Sequence, residues 1–123
     1  MVARAVILVD HGSRRAEANE HLERIASALR SERPDWAFWT AHLEVCGPTV
    51  GEAVDRAVAA GARRVVVHPF FLLPGRHTRE DVPRLVESAR ERHPEIAIQM
   101  TDPIGVAPEL VSLIVGSVEG VDP

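Results

Sequence analysis

The sequence predicts a single α/β domain in which helices flank a four-stranded parallel sheet. Four short apolar segments alternate with four segments whose apolar residues recur at helical spacing. The short segments are hydrophobic almost throughout, which is typical of strands covered on both faces. The chain has 123 residues, so we expect one doubly wound domain over residues 1–123. In such folds, ligands bind outside the carboxyl ends of the strands.

The first half of the chain contains two strand–helix units. The first strand is predicted over residues 3–9 and the second over residues 36–45, both strongly apolar. Thr49, with Glu52 three residues later, has the spacing of a capping box and predicts the start of the second helix. The helix between the two strands is predicted by an apolar stripe at helical spacing, namely Ala18, Leu22, Ile25, Ala26 and Leu29.

The second half repeats this pattern. The third strand is predicted over residues 63–71 and the fourth over residues 95–101. Asp81 is the expected N-cap of the third helix, with Pro83 in its first turn, where a missing N–H is tolerated. The last helix is predicted by a second apolar stripe, formed by Leu110, Val111, Ile114, Val115 and Val118.

Composition excludes several classes of function. The single cysteine, Cys46, excludes an internal disulfide and an all-cysteine zinc site, and it fits a cytoplasmic protein. All 14 basic residues are arginine, and without lysine there is no Walker phosphate loop and no Schiff-base chemistry. The net charge of −4 argues against nucleic acid as the partner. No apolar run approaches the roughly 20 residues of a membrane span.

Two histidines and a carboxylate follow three of the predicted strands. His11 comes after the first strand, Glu44 lies near the end of the second, and His77 lies in the loop after the third. Imidazole and carboxylate ligands suit a divalent metal such as cobalt, iron, nickel or zinc. The sequence therefore predicts a metal site at the carboxyl edge of the sheet. The alternative is that His11 caps the next helix and His77 is a solvated loop residue.

Other residues near this edge have less specific interpretations. We interpret His42 and His68 as core histidines, although His42 could also support Glu44, and we interpret Cys46 as a small buried thiol. Arginines near a metal site favour a ligand rich in carboxylate or phosphate, although ordinary solvated charge is an equal alternative. The candidate substrate-binding residues are Ser13, Arg14, Arg76 and Arg79, with Arg15 also nearby.

Three segments together resemble the small class II chelatases, the short single-domain group of sirohydrochlorin cobaltochelatases and ferrochelatases. They are LVDHGSR at residues 8–14, LEVCGPTV at residues 43–50 and, most specifically, HPFFLLPGRHTREDVP at residues 68–83. The resemblance implies a chelatase-like fold, a homodimer and ATP-independent insertion of a divalent metal into sirohydrochlorin, with no permanently bound cofactor. It also implies that His11 and His77 hold the metal while Glu44 assists.

One position departs from the family pattern. The family often has a histidine where this chain has Ala107, a difference that bears on the metal preference and on activity. A non-catalytic cobalt or nickel carrier of the same fold is therefore the main alternative. A hydrolase using Asp10, His11 and Ser13 is disfavoured because these residues are too close in sequence and no Gly-x-Ser-x-Gly motif is present. A flavodoxin-like flavin module lacks a glycine-rich phosphate loop.

Overall fold

The computed structural model describes residues 4–72 and 75–121, except for the side chains of residues 76–78. Ala3, the first residue of the predicted first strand, lies outside the described residues. The elements in chain order are β1 (Arg4–Asp10), α1 (Ala16–Glu32), β2 (Trp36–His42), α2 (Val50–Ala59), β3 (Arg64–Pro69), α3 (Arg76–Arg92), β4 (Ala97–Met100), a 3₁₀ helix (Ile104–Val106) and α4 (Glu109–Glu119).

The four strands form one parallel sheet in the order β2-β1-β3-β4, which confirms the predicted architecture. β1 is central, and its last residues pair with both neighbouring strands. Asp10 lies opposite His42 of β2, and Val9 lies opposite Pro69 of β3. The carboxyl ends of β1, β2 and β3 therefore meet side by side at one edge of the sheet.

The two faces of the sheet are covered unequally. Ala5, Ile7 and Val9 of β1 are fully buried in the core that α2 and α3 form on one face. Val6 and Leu8 point to the opposite face, where α1 covers β1 and β2. This alternation is what a strand buried on both sides requires. The apolar stripe of α1 contributes Leu22 and Ala26 to this second core, as predicted.

Of the two predicted helix N-caps, Thr49 is confirmed and Asp81 is not. The capping box is confirmed, because the Glu52 N–H donates to Thr49 Oγ at 3.1 Å and the Thr49 N–H donates to Glu52 Oε1 at 3.0 Å. The predicted Asp81 cap is wrong: α3 begins at Arg76 with Gly75 as its N-cap.

The early start of α3 places Pro83 inside the helix rather than in its first turn. Proline cannot donate the hydrogen bond of its turn, so an isolated helix would be weakened there. Val82 and Val86 are buried against the sheet on either side of Pro83, and this tertiary packing offsets the loss. As a result His77, predicted in a loop, lies in the first turn of α3.

The last helix forms as predicted, but its apolar stripe does not join the core. Along α4 only Leu110 is even partly buried, and the principal neighbour of the helix is the 3₁₀ helix before it. In a single copy of the chain the stripe is therefore left largely exposed. In the part of the chain that the structure describes, no helix is long and apolar enough to cross a membrane.

Candidate metal and substrate site at the carboxyl edge

His11 and Glu44 lie side by side because the pairing of β1 with β2 continues past the ends of both strands. The Leu43 N–H donates to the Asp10 carbonyl at 2.9 Å, and the Glu44 N–H donates to the His11 carbonyl at 3.0 Å. Both His11 and Glu44 are exposed at the edge. His11 does not cap α1, whose N-cap is Arg15, so the helix-cap alternative for His11 is wrong. His11 and Glu44 are thus backbone neighbours at an exposed edge.

Gly12 allows the two loops to approach this closely. Its φ of +91° lies in the left-handed region, which side chains rarely adopt. A Cβ atom at Gly12 would stand 2.0 Å from the Glu44 carbonyl oxygen, far inside any permitted contact. The close approach of the His11 and Glu44 loops therefore requires glycine between them.

A buried polar pair supports the turn beneath His11. His42 is 5% exposed, and its Nδ1 is hydrogen-bonded to Asp10 Oδ1. The same Asp10 oxygen accepts a hydrogen bond from the Gly12 N–H at 3.1 Å. The interpretation of His42 as a satisfied core histidine is confirmed, but its partner was missed. The pair can be recognised only from the strand register, in which Asp10 and His42 lie opposite each other at the ends of adjacent strands.

The segment that follows β3 contacts His11 on the side away from β2. The Phe70 N–H donates to the Val9 carbonyl at 2.7 Å, which carries the β1–β3 pairing past the strand end. The buried ring of Phe71 then packs against the His11 imidazole, with ring centroids 4.5 Å apart and planes tilted by 48°. The sequence assigned Phe71 to the core, and its contact with His11 was not foreseen. His11 is thus held between the β2 loop and Phe71.

A cavity of about 360 Å³ opens next to Phe71, between the exit of β3, the start of α3 and the loop after β4. Arg79 lines it, so this predicted substrate-binding residue does border a recess at the correct edge. Arg76 and His77 precede it in the first turn of α3, and their side chains lie outside the described residues. The other lining residues include Pro69, Val82, Asp102 and Val106.

Gly105, next to the lining residue Val106, packs against the segment that follows β3. Its N–H donates to the Phe71 carbonyl at 2.8 Å. A Cβ atom there would stand 1.5 Å from the Leu72 carbonyl oxygen, so only glycine permits the contact. Ala107 follows two residues later, at the end of the 3₁₀ helix. The position that departs from the family pattern therefore lies close in sequence to the wall of the cavity.

Ser13 and Arg14 follow His11 in the turn before α1. The Ser13 hydroxyl accepts a hydrogen bond from the Arg15 N–H at 3.0 Å, which leaves its own proton available to a ligand. Asn19 clamps the turn: it accepts from the Ser13 N–H at 3.0 Å and donates to the Ser13 carbonyl at 2.7 Å. Asn19 was missed because its role depends on this turn. Arg14 is exposed beside it.

His68 is half-buried inside β3, away from the exposed pair. Its Nδ1 lies 2.6 Å from Thr101 Oγ, and that hydroxyl donates its proton to the Asp102 carbonyl at 3.0 Å. With its proton donated to the Asp102 carbonyl, the Thr101 hydroxyl can accept a hydrogen bond from His68 Nδ1–H. Burial lowers the pKa of His68 and favours its neutral form. This agrees with a structural role for His68.

No described group of three or more His, Cys, Asp and Glu side chains could hold a metal ion together. The side chain of His77 is not among those described. Cys46 is half-buried rather than fully buried, and its N–H donates to the Glu44 carbonyl at 2.9 Å. His11 and Glu44 are thus the described part of the predicted metal site.

The sheet order and the helices on both faces define an α/β domain of the doubly wound class, and domains of this class bind ligands at the carboxyl edge. The family model described as CbiX matches residues 5–120, and the chain belongs to the CbiX family.

Two curated relatives are named as chelatases. The chloroplastic sirohydrochlorin ferrochelatase of Arabidopsis thaliana is 40% identical over 103 residues, which cover 84% of this chain and 46% of that protein. A sirohydrochlorin cobaltochelatase of Priestia megaterium is 32% identical over 115 residues, which cover 90% of this chain and 36% of that protein. The chain therefore spans less than half the length of either relative.

Solved structures share the fold over nearly the whole chain. A putative cobalamin biosynthesis CbiX protein from Marinobacter aquaeolei VT8 is 31% identical with a TM-score of 0.82, and the match covers 95% of this chain and 93% of that one. The sirohydrochlorin chelatase SirB from Bacillus subtilis subspecies spizizenii, in complex with cobalt, is 26% identical with a TM-score of 0.82. That match covers 98% of this chain and 51% of SirB.

Proposed function

We propose that this chain catalyses ATP-independent insertion of a divalent metal into sirohydrochlorin, with Co²⁺ favoured over Fe²⁺ and Ni²⁺. The observation that carries the proposal is the adjacency of His11 and Glu44 at the carboxyl edge, in a chain of the CbiX family. Relatives named for both cobalt and iron support this substrate class. The product would enter cobalamin or siroheme synthesis, and the reaction would take place in the cytoplasm.

The residues suit the steps that metallation requires. Two pyrrole N–H protons must leave while the metal passes from protein ligands to ring nitrogens. His11 and His77 would hold the incoming ion through neutral imidazoles, and each imidazole released by the metal can accept a proton near neutral pH. Glu44, beside His11, would accept the second proton or balance the charge of the ion. The metal is a substrate here, and no permanently bound cofactor is needed.

A non-catalytic cobalt or nickel carrier is the second candidate, favoured by Ala107 at a position where the family often has histidine. The two functions differ in turnover. With sirohydrochlorin and Co²⁺ in at least tenfold excess over protein, the absorbance spectrum of the tetrapyrrole reports metallation. We expect many product molecules per protein at a rate above that of free Co²⁺. Metal binding without acceleration of metallation would support the carrier instead.

Arg76 and Arg79 are proposed to bind substrate carboxylates at the cavity next to Phe71. Changing both to glutamine should raise the apparent KM for sirohydrochlorin several-fold and leave Co²⁺ binding nearly unchanged. Loss of one exposed charge-assisted contact costs about 1 kcal/mol, so the double variant is the clearer test. The effect should shrink as ionic strength rises, because salt already weakens these contacts in the parent protein.

The matched control is Arg63→Gln with Arg64→Gln, which neutralises two exposed arginines at the amino end of β3, the opposite edge of the sheet. Both double variants change the net charge equally, so a general electrostatic effect would raise KM in both. An unchanged KM at low salt in the Arg76/Arg79 variant would remove these residues from the substrate site.

We also propose that the chain functions as a symmetric homodimer. It matches 51% of SirB, so one copy supplies about half of a double-length chelatase. A second copy would supply the other half of a cleft large enough for a tetrapyrrole. Light scattering at concentrations where the protein is active should give twice the mass of one chain. A single-chain mass under those conditions would contradict the proposal.

A further inference from the structure

One face of the sheet has an uncovered apolar groove. α1 covers this face only over β1 and β2, while the residues of β3 on the same side remain partly exposed. The resulting cavity measures about 340 Å³, and its lining is predominantly apolar. We call it the sheet-face groove, and it is lined chiefly by Val6, Leu8, Val66, Phe70 and Ile104, with Ile25 of α1 along one wall.

The same chain also has an exposed apolar surface, on α4. The stripe of α4 consists of residues spaced three or four apart, so they form one continuous face of the helix. In one copy of the chain this face is open to solvent: Val111 is 68% exposed, Ile114 60%, Val115 50% and Val118 56%. Contiguous apolar surface of this kind on a soluble domain marks an interaction site.

A membrane surface is a poor match for α4. Helices that lie on membranes carry arginine or lysine on their polar face. α4 has no basic residue, and its charged residues are Glu109 and Glu119. Anionic lipid headgroups would therefore repel the helix, and a protein surface is the better match.

A second copy of this chain has the surface that α4 requires. Each copy carries one stripe and one groove, so a reciprocal exchange satisfies both and closes at two copies. The relative SirB, of which this chain matches 51%, is about twice as long as this chain, so a pair of copies has the length of one SirB chain. We propose that α4 of each copy packs into the sheet-face groove of the other. This proposal rests on the homodimer proposed above and specifies how that homodimer forms.

Introducing charged residues into the α4 stripe tests whether this stripe forms the dimer interface. Ile114→Asp with Val118→Asp places two carboxylates where the partner's groove is apolar, and both residues are already exposed in one copy. We expect the dimer dissociation constant to rise at least 100-fold while the circular dichroism spectrum stays folded. The control is Ser27→Asp with Ser31→Asp, two exposed residues at the same spacing on α1, which should remain dimeric. A stripe variant that dimerises as tightly as the parent overturns the proposal.

Photo-cross-linking identifies what α4 contacts. Protein carrying benzoylphenylalanine in place of Val115 is mixed with excess unmodified ¹⁵N-labelled protein, allowed to exchange, irradiated and digested. Peptides joined to ¹⁵N-labelled residues of the sheet-face groove are expected. An adduct with the groove of the same unlabelled copy, or with another surface of the labelled copy, overturns helix exchange while leaving a dimer measured by light scattering intact. A single-chain mass at every concentration overturns both the exchange and the homodimer.

Discussion

Replacing His11 with alanine should lower the turnover of sirohydrochlorin with Co²⁺ by at least about 100-fold, the lower limit for losing a general acid–base group. The substitution removes two functions from the site at once, because His11 is the proposed metal ligand and the proposed proton acceptor next to Glu44. The fold should survive, because His11 is exposed and its backbone bond to Glu44 does not depend on the side chain. His77→Ala should have a comparable effect, and Glu44→Gln a smaller one.

The measurement is the steady-state rate of metallation, followed by absorbance, together with Co²⁺ affinity from calorimetry. Weaker Co²⁺ binding should accompany the loss of turnover in both histidine variants. His21→Ala, which removes an exposed histidine from α1, is the control and should retain the parent rate. A folded His11→Ala protein with the parent rate and parent Co²⁺ affinity would exclude His11 from the site.

Gly12→Ala should be strongly damaging although it adds a single methyl group. Gly61 is the matched control, because both glycines have positive φ, +91° and +101°, but a Cβ at Gly61 meets no atom within 4 Å. Gly61→Ala should cost about 1–2 kcal/mol of stability through the left-handed conformation alone. A Cβ at Gly12 would also strike the Glu44 carbonyl, so we expect roughly 2 kcal/mol or more beyond the control.

Urea unfolding with comparable m-values measures this difference. Metallation by Gly12→Ala should fall along with stability, even at temperatures where the variant is folded, because the His11 and Glu44 loops must separate to admit the methyl group. Gly61→Ala should keep the parent rate. Equal unfolding midpoints and equal rates for the two variants would show that the close approach of the two loops is not required.

The sheet and its edge could be predicted because they depend on local pattern. Near-continuous apolar strands alternating with helical stripes leave few topologies, and in a parallel sheet every strand delivers its next residues to the same edge. The order of strands and helices alone therefore predicts that His11 and Glu44 lie at the same edge. The capping box at Thr49 was predictable for the same reason, since its two partners are three residues apart.

The features that escaped prediction depend on tertiary contacts. Pro83 suggested a late helix start, but the burial of Val82 and Val86 stabilises α3 across the proline. The Asp10–His42 pair joins residues 32 positions apart, and it becomes visible only once the register of β1 and β2 is known. The stripe of α4 predicted the helix, but its spacing could not reveal that the apolar face is exposed in a single copy.

The proposed function requires one metal ion to bind at the carboxyl edge between His11 and His77, with Glu44 beside it. Crystals of the protein loaded with Co²⁺, measured at the cobalt absorption edge, test this directly through anomalous difference density. We expect a peak about 2.0–2.2 Å from an imidazole nitrogen of both histidines, as for other borderline divalent ions. Cobalt bound elsewhere, or ordered His11 and His77 side chains too far apart to share one ion, would contradict the claim.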